Sequence, residues 1–220
     1  MGRIDGLDYS DAMLAKAAKK FTGSPNVTLS LGSWADMPHA DNSFDGVMCN
    51  QVIQHVETDD TVEYRTMLKK CIMETLRVLK PGGVFVCSTR AKEPRYEDLY
   101  WYCEFFPTAV LKQSTRVPTK DMMHDIMVDA GFEFLDAYKP SYRSVMSIEH
   151  YLNAEGPFDE GWRRGESFWS TVSDEELVSG LAKIRAKIND GTITEFIRNK
   201  EATRKMHGQV LFLSGRKPML

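Results

Sequence analysis

Asn50, Gln51, Gln54 and His55 crowd one short connection between two apolar runs. Side-chain amides offer donors and acceptors together, and an imidazole titrates near neutrality, so such a connection can line a polar site. His55 is the candidate catalytic group, taking a proton from a hydroxyl or amine nucleophile. The plainer use of a lone histidine is a solvated or capping side chain. Asp8 stands at the end of the short run 3–7. A carboxylate at a strand tip can accept both hydroxyls of a ribose, because each oxygen is an acceptor. It can equally cap the next helix or pair with that helix's positive end. Ser33 and Trp34 follow the run Val27–Leu31. An indole there can stack on or wall off a nucleobase while the hydroxyl bonds its edge, or the ring can fill the core beneath the loop. Cys49, Cys71, Cys87 and Cys103 lie in apolar stretches, and no two are spaced as CxxC. They read as reduced, packed thiols, and no metal ligand set is expected.

These residues need a scaffold, and the hydrophobic rhythm supplies one. Runs at 3–7, 27–31, 44–50, 84–88, 132–138 and 209–214 have strand length. The third is nearly continuous in apolar character, as a buried parallel strand is. Helical periods lie between them. One is opened by Ser10 and runs to about residue 20. A second opens at 58–60 and carries Tyr64, Met67, Leu68, Cys71, Ile72, Thr75, Leu76 and Leu79 on one stripe, until Lys80-Pro81-Gly82-Gly83 stops it. A third is capped by Thr119 and ended by Gly131. Beyond Pro140, residues 155–170 are rich in Gly, Trp and Phe without a period. Ser173-Asp174-Glu175-Glu176 then forms a capping box for a helix to about 189, and a further helix follows from 193 to about 205. Strands alternating with helices predict an α/β domain with a largely parallel sheet, whose ligands gather at the carboxyl ends of the strands. Asp8, Ser33 and Asn50 all fall at such ends.

Four stretches resemble a known family. Gly6-Leu7-Asp8-Tyr9-Ser10-Asp11-Ala12-Met13-Leu14 is similar to the second-strand motif of class I S-adenosylmethionine-dependent methyltransferases. Met37-Pro38 with Asp41-Asn42-Ser43-Phe44-Asp45 resembles their "LPF…DNSFD" stretch, Gln51-Val52-Ile53-Gln54-His55-Val56 the segment after the fourth strand, and Leu76-Arg77-Val78-Leu79-Lys80-Pro81-Gly82-Gly83 their "RVLKPGG" turn. The order and spacing over residues 4–90 match the small-molecule "type 11" group. The resemblance implies a Rossmann-like sheet in the order 3-2-1-4-5-7-6 with its last strand antiparallel, and S-adenosyl-L-methionine as cofactor. It implies Asp8 as the ribose acid, Met13 near the adenine, Ser33 and Trp34 at the adenine amine, Asn50 near the methionine part, and His55 facing the acceptor. Ser33 and Trp34 replace the acid and small residue common in the family.

The family's glycine-rich first strand-to-helix turn is absent, since no two glycines are spaced as GxG. The chain is therefore expected to lack the central first strand, leaving the neighbouring strands to close the gap or to expose two unpaired edges. The expected organisation is a partial core over 1–140, a helical insertion over 141–207, and the final strand with a tail over 208–220. Tyr142, Tyr151, Phe158, Trp162, Phe168 and Trp169 are dense enough either to cap a substrate pocket or to pack a helical appendage.

Two other functions compete with small-molecule methyl transfer. A non-catalytic, truncated relative could bind a partner through the vacated edge. A nicotinamide-dependent oxidoreductase would also use an acid like Asp8, but it lacks the glycine turn and any Tyr followed four residues later by Lys. Composition narrows the rest. The 220 residues carry 28 Lys plus Arg against 31 Asp plus Glu, a net charge of -3, which leaves no basic footprint for nucleic acid. No apolar run approaches bilayer length, and the start lacks a signal-peptide core or a myristoylation pattern, so no membrane partner and a cytoplasmic setting are expected. An exposed sheet edge would favour a homodimer.

Overall fold

The computed structural model describes residues 2–56, 61–90, 96–140 and 147–219. The chain opens with a β–α–β unit: β1 (Ile4–Asp8), α1 (Asp11–Lys20) and β2 (Val27–Leu31). β1 and β2 pair parallel from Ile4 opposite Val27 to Asp8 opposite Leu31. Local chemistry starts and stops α1 where the sequence signals it. Ser10 is extended and its hydroxyl accepts from the Met13 amide, Asp11 sits in the first turn, and Lys19 and Lys20 sit in the last. Not one residue of α1 is buried, so capping and dipole pairing sustain it more than packing does.

The second unit is β3 (Phe44–Asn50), α2 (Thr61–Val78) and β4 (Leu79–Arg90), with β3 and β4 parallel. Residues 80–83 do more than end the helix. β4 starts directly after α2, and its register on β3 shifts between Phe44 and Gly46, so the Pro-Gly-Gly stretch is a bulge inside a longer strand. Gly82 has φ +77°, and a Cβ on Gly83 would sit 2.9 Å from the Lys80 carbonyl oxygen, so both positions require glycine. The opening of α2 at residues 58–60 lies outside the described residues.

Then follow α3 (Pro107–Thr115), α4 (Lys120–Asp129), β5 (Glu133–Tyr138), α5 (Ile148–Leu152), α6 (Glu160–Arg163), α7 (Asp174–Asn189), α8 (Ile193–His207) and β6 (Val210–Arg216). β6 runs antiparallel to both β4 and β5, which gives the order β3-β4-β6-β5. This is the Rossmann-like order with an antiparallel last strand.

The sheet is in two pieces. β1 is hydrogen-bonded to β2 and β3 to β4, and among the described residues no strand pairs β1 with β3. Between them lies a cavity of about 510 Å³ bordered by Arg3 and Asp5 of β1, Pro38 and His39 of the linker, and Phe44 and Gly46 of β3. The linker is pinned to α2. Arg77 donates to the Met37 and His39 carbonyls at 3.1 and 2.7 Å and pairs with Asp41 and Glu74 at 2.8 Å. The Met37 amide donates to Glu74 at 3.0 Å, and Arg77 holds that carboxyl below the usual glutamate range.

The other end of the molecule is a helical layer with an aromatic core. Trp101, Tyr102, Phe106, Tyr151 and Phe168 are fully buried, and Trp162 and Trp169 nearly so. Tyr102 meets Trp162, Phe168 and Trp169 with ring centroids 4.9–5.6 Å apart. Each such ring removes about 150–250 Å² from water, or roughly 4–6 kcal/mol at 25 cal/mol per Å². These aromatics pack on one another as a core; Tyr142 lies outside the described residues. Leu99 to Cys103, Phe105 and Phe106 belong to this core, so the helical layer also draws on chain ahead of residue 140. The capping box at Ser173 is half formed. Ser173 accepts from the Glu176 amide, but the Glu176 carboxylate bonds the Thr108 and Ala109 amides at 2.7 and 3.1 Å. It thereby caps α3, which starts at Pro107 without a side-chain cap of its own.

Candidate functional site

The carboxyl ends of β1, β3 and β4 carry the polar groups. At the tip of β1, Asp8 Oδ1 accepts from the Ser10 amide at 2.9 Å, and the Asp8 carbonyl accepts from Gly32 at 3.0 Å. The side chain therefore does help turn the chain into α1. Among the described residues Oδ2 has no partner, and it remains an acceptor at the strand tip. Met13, one turn into α1, is half exposed.

Ser33 and Trp34 part company after β2. Ser33 is exposed, and its hydroxyl accepts from the Ala35 amide at 3.1 Å. Trp34 turns into the protein. Its indole nitrogen donates to Thr75 of α2 at 2.8 Å and its ring lies 6.3 Å from Phe85. Here the ring fastens the linker to the core, the packing use that its sequence position also allowed.

The tips of β3 and β4 form one polar network. Asn50 accepts from the Ser88 hydroxyl at 3.3 Å. Gln51 takes φ +54°, a left-handed conformation unusual for a side chain of its size, and its amide donates to the Ser88 carbonyl at 2.9 Å. Gln54 is buried, donates to the Gln51 carbonyl at 2.9 Å and accepts from Thr89 at 3.4 Å. The crowding of amides is thus a lattice that fixes how the chain leaves β3, with Asn50 on its exposed side. His55 ends the short turn Ile53–His55 and is exposed, its amide donating to Val52 at 2.8 Å.

Sequence reasoning missed Arg90 and Glu166. Arg90 ends β4 buried, and its guanidinium reaches Glu166 at 2.9 Å and Ser167 at 3.3 Å, with Tyr100 5.3 Å from the guanidinium carbon. This ion pair ties the helical layer to the strand tip. Burial pushes the Glu166 carboxyl up and Arg90 pulls it back, leaving it raised. The signal was an arginine closing a run of buried apolar residues. Its partner 76 residues away, in a stretch without period, could not be read.

All four thiols are free and buried. Burial pushes Cys49 up to about 12 and Cys71 to about 11, so both stay protonated near neutrality. Among the described residues no helix is long and apolar enough to cross a membrane, and no cluster of His, Cys, Asp and Glu could hold a metal ion.

Comparison with known proteins fits this geometry. A sequence model described as a methyltransferase domain matches residues 1–87. The chain is 36% identical over 152 residues to a demethylmenaquinone methyltransferase of Desulfitobacterium hafniense, which covers 67% of this chain and 54% of that protein. It is 30% identical over 177 residues to one from Staphylococcus epidermidis, covering 73% of this chain and 69% of that protein. The chain thus spans about half the length of the first of these relatives. A solved structure from Anabaena variabilis, described as a methyltransferase from an antibiotic biosynthesis pathway, superposes with TM-score 0.69 at 17% identity, over 96% of this chain and 80% of that one. That likeness establishes the fold.

Proposed function

This chain belongs to the methyltransferase-domain family, and on that premise we propose that it binds S-adenosyl-L-methionine and supports methyl transfer to a small-molecule acceptor. One observation carries the reading: Asp8 and Asn50 stand at the carboxyl ends of parallel strands on the two banks of the gap, where ligands of open α/β sheets bind. Their donor sets fit the cofactor. Asp8 Oδ2 accepts ribose hydroxyls, while Oδ1 stays bonded to the Ser10 amide and keeps the carboxylate in place. Asn50 presents an amide to the amino-acid end, held by its bond to Ser88. Met13 offers an apolar, half-exposed side chain for the base, and Ser33 a hydroxyl at its edge. In this reading Trp34 contributes by anchoring the linker that carries Ser33.

When bound, the cofactor supplies a methyl group on a positive sulfonium, ready for in-line displacement. Alignment and exclusion of water are the main demands on the protein. His55, exposed beyond the β3 tip, takes the proton from a hydroxyl or amine acceptor. Calorimetry with S-adenosylhomocysteine on the whole chain tests the reading. Micromolar binding is expected, weakened about ten- to a hundredfold in Asp8→Ala, as loss of hydrogen bonds to a charged group predicts. Absence of binding at millimolar ligand overturns it.

A further inference from the structure

The polar groups at the tips of β3 and β4 all donate in one direction, and Gln54 sets that direction. Its side-chain nitrogen lies 2.9 Å from the Gln51 carbonyl oxygen, and a backbone carbonyl can only accept. The nitrogen of Gln54 must therefore face Gln51, and its oxygen is left to accept from the Thr89 hydroxyl at 3.4 Å. The same nitrogen lies 3.3 Å from Gln51 Oε1. That contact turns the Gln51 amide so that its own nitrogen donates to the Ser88 hydroxyl at 3.5 Å. A hydroxyl has one proton to give, and that of Ser88 goes on to Asn50 Oδ1 at 3.3 Å. The Asn50 amide is thus set with its oxygen held by the buried Ser88 and its nitrogen on the side of the exposed Met48. The nitrogen meets the Met48 sulfur at 3.0 Å, but a thioether is a weak acceptor and takes one of two N–H groups.

Thr89, Gln54 and Ser88 are buried, and aligned hydrogen bonds reinforce one another in such surroundings. The backbone supports the same setting. Gln51 is held at φ +54°, a conformation that a side chain of its size keeps only where its surroundings fix it. An outward amide nitrogen donates and cannot accept. Of the two charged groups at the amino-acid end of S-adenosyl-L-methionine, it suits the carboxylate and not the ammonium.

We propose that Thr89, Gln54, Gln51 and Ser88 form a one-way donor chain that presents the Asn50 amide nitrogen to the cofactor's carboxylate, with Gln54 and Ser88 as positioning residues. This rests on the cofactor reading above and deepens it. The site selects its ligand by an anionic group at the amino-acid end, and residues behind Asn50 set that selection.

Calorimetry on the whole chain with three ligands tests the proposal. They are S-adenosylhomocysteine, its decarboxylated form, which keeps the ammonium, and methylthioadenosine, which has no amino-acid end. The unaltered chain should prefer the first to the second by about ten- to a hundredfold, as a hydrogen bond to a charged group predicts. Gln54→Met removes the group that sets the direction, and Ser88→Ala removes the last link. Each should shrink that preference at least about fivefold and change methylthioadenosine affinity by less than about twofold. Ser88→Ala deletes a single buried oxygen and keeps the strand, so it answers the question even if Gln54→Met does not fold. Adding Ser88→Ala to Asn50→Ala should weaken S-adenosylhomocysteine no further, because Ser88 acts through Asn50. A network that is only structural weakens all three ligands together. That result, an unaltered chain with no preference, or a preference that survives Ser88→Ala, overturns the proposal and leaves the cofactor reading standing. An unaltered chain that binds neither S-adenosylhomocysteine nor methylthioadenosine overturns the reading, and the proposal falls with it.

Discussion

The two pieces of the sheet are built from the same kinds of strand but stand on different foundations. The β3-β4-β6-β5 piece has α2 and α4 on one face and a helical layer with fully buried tryptophan, tyrosine and phenylalanine at its end. The β1–β2 piece has a helix with no buried residue, and its strands are half-exposed throughout. What joins them is the Trp34 ring packed beside Phe85 together with polar ties: Trp34 to Thr75, Met37 to Glu74, and the Arg77 fan. The groups proposed to hold the cofactor are divided between the pieces, with Asp8 on the weak one and Asn50 on the strong one. Stability and site are therefore distributed differently, and substitutions in one piece should not behave like those in the other.

The largest effect is expected in the strong piece. Arg90→Ala leaves Glu166 buried without its cation and should lower global stability by about 3–5 kcal/mol, measured by urea unfolding. A matched apolar pair, Arg90→Met with Glu166→Leu, should recover much of that loss. If Arg90→Ala is silent, the helical layer is not held by the strand tip as described. Next comes the junction. Trp34→Phe keeps an aromatic ring but removes the indole donor to Thr75, whose hydroxyl keeps its bond to the Cys71 carbonyl, at about 0.5–1.5 kcal/mol. Hydrogen exchange should show the loss mainly as earlier opening of residues 4–8 and 27–31.

The sharpest contrast uses one chemical change twice. Ser173→Ala and Ser10→Ala each remove a helix cap worth about 1 kcal/mol. The first should lower the global unfolding midpoint. The second should leave that midpoint almost unmoved and speed exchange in α1 alone, because the weak piece opens before the protein unfolds. Equal midpoint shifts would mean that the two pieces unfold as one.

The smallest effects are titrations of opposite sign. Glu74 has a lowered folded pKa, so the folded state binds fewer protons than the unfolded one. Its contribution is present above the ordinary glutamate range and is lost as pH falls through the folded value. Glu166 has a raised folded pKa, so between the unfolded value near about 4.3 and the raised one, stability falls as pH rises. Glu166→Gln should flatten the stability profile above that unfolded value, and Glu74→Gln should flatten the acid limb below it. Urea midpoints between pH 3 and 7 read both.

Most of the elements were legible because their signals are local. The Ser10 and Thr119 caps, the apolar stripe of α2 and the run 44–50 decide structure within a few residues. The order of the strands was legible for a different reason: the stretches at 6–14, 37–45, 51–56 and 76–83 resemble motifs whose sequence along the chain fixes which strand each belongs to. What stayed hidden depends on distant partners. Pro107–Thr115 has little apolar period, and its helix is capped by Glu176 from another element. The Arg90–Glu166 pair spans 76 residues. Trp34 shows the limit on the site itself, since its position after β2 permits either an adenine contact or a core contact, and only its bond to Thr75 shows where the ring lies.

The claim at the centre is that one cofactor site straddles the two pieces. Hydrogen exchange on the whole chain, with and without saturating S-adenosylhomocysteine, tests it most directly. The account predicts slower exchange in the same titration at residues 8–10 on one bank and 50–54 on the other. Protection confined to one bank, or no protection at either, would contradict it.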